Sequence, residues 1–192
     1  WGITSIQDNS DWEDFLVYED LQREGKLTVR ISEWLAFGDP LDTLIRHRAR
    51  HPQRDPMLHT TMLKAYTDGS LGSRTAALLA PYADDPKNSG LPQIAQAELN
   101  RMTRERAEAG FQMGFHAIGD RGVEMALQAF TDAERHARER NLLAPGGVAD
   151  PRGFRFRVEH AQVGAPGQFA RFRGLGVIAS MQPNHLLTDM NW

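Results

Sequence analysis

The stretch Phe111–Ala133, FQMGFHAIGDRGVEMALQAFTDA, contains in one piece the pattern that decides the fold. Its first half is a short apolar run that ends in Gly119, which predicts a buried strand. A helix is expected to follow from about Arg121 to Arg140. Apolar residues recur there at helical spacing, namely Val123, Ala126, Leu127, Phe130, Ala133 and Ala137. The stretch therefore predicts a strand followed by a helix that packs one face on a core.

The same alternation runs along the whole chain. Six strands are predicted, within WGITSIQD, KLTVRISEWL, HTTMLKAYTDG, FQMGFHAIGD, GFRFRVEHAQ and GVIASMQPNH. Ser10 and Glu13 have the spacing of a capping box, which predicts a helix from there toward Glu24. Further helices are predicted over about 42–50, 92–109 and within PGQFARFRG. Strand–helix units in series indicate a parallel sheet, either an open doubly wound sheet or an arc of a (β/α)8 barrel.

Composition excludes several classes of protein. The 192 residues are 41% hydrophobic and 24% charged, with a net charge of −3, which is typical of a globular domain. The chain has no cysteine, so disulfides, thiolate zinc sites and a cysteine nucleophile are excluded. We see neither a basic run with aromatics for nucleic acid nor a membrane-spanning apolar stretch. Without a secretory signal pattern, a cytoplasmic location is expected.

Residues able to do chemistry cluster where the predicted strands end. In a barrel those ends meet on one face, where active sites are built, whereas in an open sheet only the ends beside the switch point converge. The residues are Lys64 and Asp68, His116 and Asp120, Glu159 and His160, and Gln182 and His185.

Several of these residues also have a plain structural explanation. Asp120 could cap the following helix, Glu159 could pair with Arg157, and His185 could be an ordinary loop residue. Histidines at equivalent places in two consecutive units, His116 and His160, are harder to explain in this way. No functional role is expected for the remaining histidines, which are His47, His51, His59 and His136.

Lys64 raises a specific question, because it lies within an apolar strand. A lysine with its ordinary pKa of about 10.4 is almost entirely charged at neutral pH, and burying that charge is costly. Desolvation favours the neutral amine, which can add carbon dioxide to give a carbamate whose two oxygens can bridge metal ions. A Schiff-base lysine, a salt bridge to Asp68 and a side chain that reaches out to solvent are the alternatives.

The motifs LKAYTDGSLGSRTA, GFHAIGD, RVEHAQ and VIASMQPNH, in this order, resemble the amidohydrolase superfamily. The resemblance is closest to its amidohydrolase-3 branch, which includes N-substituted formamide deformylases, and it covers almost the whole chain. It implies an α/β fold, a partial (β/α)8 TIM barrel with roughly strands 2 to 7 of a metal-dependent hydrolase. Residues 1–192 are then expected to form a single partial catalytic domain.

The resemblance also implies roles for individual residues. By position, Lys64 matches a lysine that becomes a carboxylated bridge between metals, and His116 and His160 match the metal-binding histidines of the next two strands. The implied cofactor is one or two divalent ions, expected to be zinc. The implied reaction is hydrolysis of a non-peptide C–N bond, typically an amide, by a metal-activated water. Substrate contacts or support of the metal ligands are expected from Asp68, Ser70, Arg74, Asp120, Glu159, Gln182 and His185.

Two elements of the family pattern are missing. The chain has no His-x-His pair, and Asp189 comes too early to be the strand-8 aspartate that shuttles protons, so no catalytic acid or base is assigned. We therefore expect an internal fragment of a larger enzyme. The alternatives are a truncated homologue that serves as a structural or binding module, and a lactonase or deaminase on the same scaffold.

The expected partner is a small amide-type substrate, with neither nucleic acid nor membrane involved. An incomplete barrel would expose two sheet edges and much apolar surface. The isolated polypeptide is therefore expected to be poorly stable or to form a homo-oligomer.

Overall fold

Strands and helices alternate along the chain in the computed structural model, which describes residues 1–51, 55–142 and 153–189. This confirms the six predicted strand–helix units. The elements are β1 Ser5–Asp8, α1 Trp12–Arg23, β2 Arg30–Ala36, α2 Leu41–Arg50, β3 Leu58–Tyr66, α3 Gln96–Glu108, β4 Gln112–Ala117, α4 Asp120–Glu139, β5 Arg157–His160, α5 Pro166–Leu175, β6 Ile178–Ser180 and α6 His185–Asp189.

The contacts divide the chain into two compact units. The first comprises Trp1–Ala65 with Phe111–Met113, and the second comprises Tyr66–Gly110 with Gly114–Trp192. The expectation of a single catalytic domain stays a prediction.

In the first unit, β1 pairs in parallel with β2, and β2 in parallel with β3. The β2–β3 register is irregular between Glu33 and Trp34 and then aligns Ala36 with Lys64. A core of Phe15 from α1, Ile31 from β2 and Leu58 from β3 is fully buried. Parallel strands covered by helices have buried faces, which explains the apolar runs in their sequences.

In the second unit, β4, β5 and β6 form successive parallel pairs. Phe115 of β4 meets Phe130 of α4 with ring centroids 4.7 Å apart, and Phe130 stacks on Phe156 at 4.6 Å. These contacts confirm the apolar face that the sequence predicts for α4. That helix has 20 residues. None of the described helices is long and apolar enough to cross a membrane.

The predicted capping box is wrong. Helix α1 begins at Trp12 with Asp11 as its N-cap, and no side chain caps it. The Ser10 hydroxyl instead contacts Asp8 Oδ2 at 2.9 Å and Glu33 Oε1 at 3.4 Å. Asp8, two residues earlier, and Glu33 on β2 therefore accept the hydroxyl that the predicted capping box would use at the helix terminus.

Candidate metal centre

Two of the predicted metal ligands come together in the second unit. His116 lies near the end of β4 and His160 is the last residue of β5. Their ring centroids are 4.6 Å apart, with the rings at 71° to each other. His185, the first residue of α6, stacks near His160 with ring centroids 6.0 Å apart. These contacts bring three imidazoles together, two at strand ends and one at the start of α6.

The Nε2 atom of His116 faces two oxygens of the chain. Its Nε2 lies 2.8 Å from the Gly69 carbonyl oxygen and 3.6 Å from Asp68 Oδ1. Both neighbours accept hydrogen bonds, so Nε2 carries the proton and donates it to the carbonyl. In the neutral ring, the lone pair then belongs to Nδ1.

His160 has the opposite arrangement. Its Nδ1 lies 2.9 Å from Gln182 Oε1, which leaves the lone pair of the neutral ring on Nε2. The backbone at His160 is left-handed, with φ of 74°, and Ala161 follows with φ of 44°. Such strain in non-glycine residues concentrates at functional sites. It also takes His160 out of the extended conformation, so strand alternation does not fix the direction of its side chain.

Asp68 lies beside this pair and is only 2% exposed. Burial raises the pKa of its carboxyl, and hydrogen bonds from the backbone N–H groups of Ile118, Gly119 and Ala77 oppose that rise. The sequence placed Asp68 near the site but gave no sign that it contacts the turn after β4.

Two other predicted residues have partners of their own. Glu159 accepts a hydrogen bond from Arg157, whose Nε lies 2.7 Å from Oε1. This is the pairing that the sequence analysis gave as the plain structural explanation of Glu159. Asp120 is the first residue of α4, after the N-cap Gly119. Its Oδ1 accepts from the backbone N–H of Leu79 at 2.8 Å.

The loop after β3 holds the remaining pair. Ser70 Oγ lies 2.7 Å from Ser73 Oγ. The Arg74 guanidinium pairs with the Asp84 carboxylate, with Nε 3.0 Å from Oδ2. Arg74 thus contacts a carboxylate of the chain itself in this structure.

Lys64 belongs to the first unit, near the end of β3. Its backbone carbonyl accepts a hydrogen bond from Phe37 N at 2.9 Å, and its side chain is half-buried. Over residues 1–51, 55–142 and 153–189, no group of three or more His, Asp or Glu is arranged to hold a metal ion.

A cavity of about 730 Å³ opens beside His160. That volume is within the range of about 300–1,000 Å³ for small-molecule sites. Its wall includes His160, Gln162, Gln182 and His185, together with the apolar side chains of Leu71, Val163, Met181, Pro183 and Leu186. Leu71 and Gln162 stand inside motifs that the sequence singles out, yet nothing in their spacing marks them as part of a cavity.

A separate polar cluster in the first unit has no counterpart in the sequence analysis. Glu33 is 1% exposed, and burial together with the charge of Asp8 raises its pKa to about 8. Asp8 accepts a hydrogen bond from the Tyr18 hydroxyl, and this bond raises the pKa of Tyr18 to about 12. Ser10 bridges the two carboxylates.

The comparisons with known proteins agree with the resemblance noted in the sequence. A family model described as "Amidohydrolase family" matches residues 1–192. Protein LONG AFTER FAR-RED 3 of Arabidopsis thaliana is 34% identical over 98% of this chain, and the protein YtcJ of Bacillus subtilis is 31% identical over 71%. A solved structure described as an uncharacterized metal-dependent hydrolase from Pyrococcus furiosus is 29% identical over 97% of this chain, with a TM-score of 0.72.

The chain spans 30%, 23% and 34% of the lengths of these three proteins, respectively. The parallel strand pairs, the regular strand–helix alternation and the likeness to the Pyrococcus structure confirm the expected fold class, an α/β partial (β/α)8 barrel. The family match covers every residue of the chain. The chain therefore belongs to the amidohydrolase family.

Proposed function

We propose that this chain supplies part of the metal centre of a hydrolase that cleaves non-peptide C–N bonds, typically amides. The observation that carries the proposal is the pair His116 and His160, whose ring centroids lie 4.6 Å apart at consecutive strand ends. Each ring has one nitrogen hydrogen-bonded to an oxygen acceptor of the chain. Metal-binding histidines are oriented in this way by a hydrogen bond from the second nitrogen.

The donor set fits a divalent ion such as zinc, which binds imidazole nitrogen and carboxylate-type oxygen. His116 would contribute Nδ1 and His160 would contribute Nε2. Lys64, as a carbamate, would contribute oxygen atoms and a negative charge in place of the ammonium group. The carbamate rests on the family resemblance and on the position of Lys64 at the end of β3.

A divalent ion in such a site lowers the pKa of a water molecule and polarises the substrate carbonyl. Residues of the chain would orient the metal ligand and bind the substrate. Gln182 keeps the His160 ring in one orientation through its contact with Nδ1. The cavity beside His160 can seat an apolar substituent of the substrate against Leu71 and Met181. Burial of that substituent would orient the scissile bond toward the imidazoles.

The first experiment measures the zinc content of the complete gene product, purified with zinc and bicarbonate present. We expect one or two zinc ions per chain in the wild type and loss of zinc in Lys64→Ala. The matched control is Lys87→Ala, because Lys87 is an exposed loop lysine, and it should keep its metal. Incubation with ¹³C-bicarbonate should give a carbamate signal by NMR that is absent only in Lys64→Ala.

The possible results lead to different conclusions about the metal and about Lys64. A wild type without metal under these conditions would contradict the metal-dependent function and favour a binding or structural module. Zinc retained equally by Lys64→Ala would remove Lys64 from the metal site. If zinc binds as expected, three activities should be compared, namely hydrolysis of N-acyl amides, hydrolysis of lactones and deamination of amino-substituted rings. The preferred reaction would decide the reaction class.

A further inference from the structure

The cavity beside His160 has one charged side chain in its wall. Among the lining residues that the structure describes, Asp189 is the single carboxylate, and no lysine or arginine is present. The remaining polar groups are the amides of Gln162 and Gln182 and the imidazoles of His160 and His185. Leucine, valine, methionine and proline side chains form most of the rest of the wall. The described wall is therefore largely apolar and contains one negative charge.

Asp189 is held in this wall by neutral groups. It is the last residue of α6 and is half-buried. Its Oδ2 accepts a hydrogen bond from Gln162 Nε2 at 2.6 Å, and its Oδ1 lies 3.4 Å from Thr188 Oγ1. An amide and a hydroxyl orient a carboxylate but do not neutralise its charge. Because a carboxylate offers about four lone-pair sites, it can accept hydrogen bonds from a ligand in addition to these contacts.

Such a wall distinguishes ligands by charge. A negative charge in apolar surroundings is stabilised by a cation placed beside it, whereas an anion in the same cavity would be repelled. The hydrocarbon part of the same ligand would pack against Leu71, Val163 and Met181, which gain from the exclusion of water. The ligand that satisfies both parts of the wall is an apolar group that carries a positive charge.

We infer that the cavity selects substrates whose apolar substituent carries a protonated amine, and that Asp189 is the specificity-determining residue that binds this amine. The word substrate here rests on the proposed function, while the binding of the amine does not. The amine would donate hydrogen bonds to the carboxylate of Asp189. The remainder of the substituent would lie between Asp189 and the imidazole of His160, which also lines the cavity.

The simplest alternative is that Asp189 only fastens α6 to the segment after β5 through Gln162. That bond requires an oxygen acceptor and no charge, so the amide oxygen of an asparagine can replace the carboxylate oxygen. The substitution Asp189→Asn therefore removes the charge and keeps the fastening. The two explanations predict different results for this variant.

The measurement is calorimetric binding of three probes, phenylbutylamine, phenylbutanol and phenylbutyrate, to the complete gene product. The probes share their hydrocarbon part and differ in charge. The protein is kept free of metal, so that neither the amine nor the carboxylate of a probe can bind through zinc. We expect the wild type to bind the amine about tenfold more tightly than the alcohol, because hydrogen bonds to charged groups are the stronger ones, and to bind the carboxylate most weakly.

Two variants and one control complete the test. Asp189→Asn should bring the amine and the alcohol to equal affinity. Asp189→Lys should transfer the preference to phenylbutyrate, and a gained preference cannot result from a failure to fold. The control is Asp14→Asn, because Asp14 is an exposed carboxylate on α1 in the first unit, and it should keep the wild-type order of affinities.

Three results would overturn the inference. The first is a wild type that binds none of the probes, since the cavity would then be closed to ligands. The second is equal affinity of the wild type for all three probes. The third is an unchanged preference for the amine in a folded Asp189→Asn, which would leave Asp189 with the fastening role alone.

A second readout separates this inference from the proposed function. It compares kcat/KM for two N-acyl amides with the same hydrocarbon substituent, one with and one without a terminal amine. Hydrolysis of both with equal kcat/KM would keep the proposed function and remove the specificity. If the wild type hydrolyses neither amide and binds no zinc, the proposed function fails, while the probe affinities still decide whether Asp189 binds a cation.

Discussion

The buried Glu33 makes the stability of the first unit depend on pH in a direction opposite to that of most carboxylates. Its pKa is raised from 4.5 to about 8 by burial first and by the charge of Asp8 second. Ser10 opposes the rise through hydrogen bonds, and Asp14 adds to it. Between pH 4.5 and pH 8 the folded state keeps a proton that the unfolded chain has released. The contribution of Glu33 to the free energy of unfolding must therefore fall as pH rises through this window.

The size of the effect follows from the same values. Each unit of pKa is worth about 1.4 kcal/mol, so a rise from 4.5 to about 8 gives a ceiling of about 5 kcal/mol lost between pH 4.5 and pH 9. Glu33→Gln keeps the shape of the neutral acid and cannot ionise. We expect it to be near neutral at pH 5 and stabilising by a few kcal/mol at pH 9.

The assay is urea unfolding at several pH values, followed by tryptophan fluorescence, because Trp12 and Trp34 both lie in the first unit. Glu13→Gln on α1 is the control, because Glu13 is exposed and should leave the pH dependence of the wild type intact. Equal slopes for wild type and Glu33→Gln between pH 5 and pH 8 would refute the reasoning. A Glu33→Gln variant less stable than wild type at pH 9 would refute it as well.

Three further predictions concern the core, the cavity and assembly. Phe130→Ala should lower the free energy of unfolding by about 3–5 kcal/mol, because Phe130 is fully buried between Phe115 and Phe156; a loss under 1 kcal/mol in urea would contradict this packing. Leu71→Asp should raise KM at least about tenfold for substrates with a large apolar group and less for small ones, since one buried apolar contact is worth about 1–3 kcal/mol; an equal change for both would place the substrate elsewhere. Finally, the 192-residue chain alone should sediment as an oligomer or unfold at low urea, and a monomer with a high urea midpoint would contradict the expectation of exposed sheet edges.

The periodicity of the sequence was enough to predict the elements and their order. Strand runs and the helical spacing of residues such as Val123 and Phe130 depend on burial, which follows directly from residue type. Helix α4 was predicted over about 121–140 and spans Asp120–Glu139. The local capping pattern failed where carboxylates outside the helix competed for the same hydroxyl. Ser10 did not cap α1, because the carboxylates of Asp8 and Glu33 take its hydroxyl.

The nearness of His116 and His160 was predictable from the sequence, whereas the orientation of their rings was not. The ends of neighbouring parallel strands lie close together, so the nearness of His116 and His160 followed from their positions in the sequence. Which nitrogen of each ring is held depends on the Gly69 carbonyl and on Gln182, and no spacing rule encodes either contact. For Glu159, the simplest interpretation of the sequence was a pair with Arg157, and the structure contains this contact. The role of Lys64 as a metal bridge stays a prediction.

The left-handed backbone at His160 has a consequence for how this protein would change under selection. Glycine, and to a lesser degree asparagine, adopts φ near 74° with less strain than histidine, whose cost there is about 1–2 kcal/mol. His160→Gly should therefore raise heat tolerance while removing a proposed metal ligand. A library screened for thermal stability alone would be expected to lose histidine at this position, and one screened for turnover would be expected to keep it. Sequencing the survivors of the two screens would separate the demands of folding from those of chemistry at a single residue.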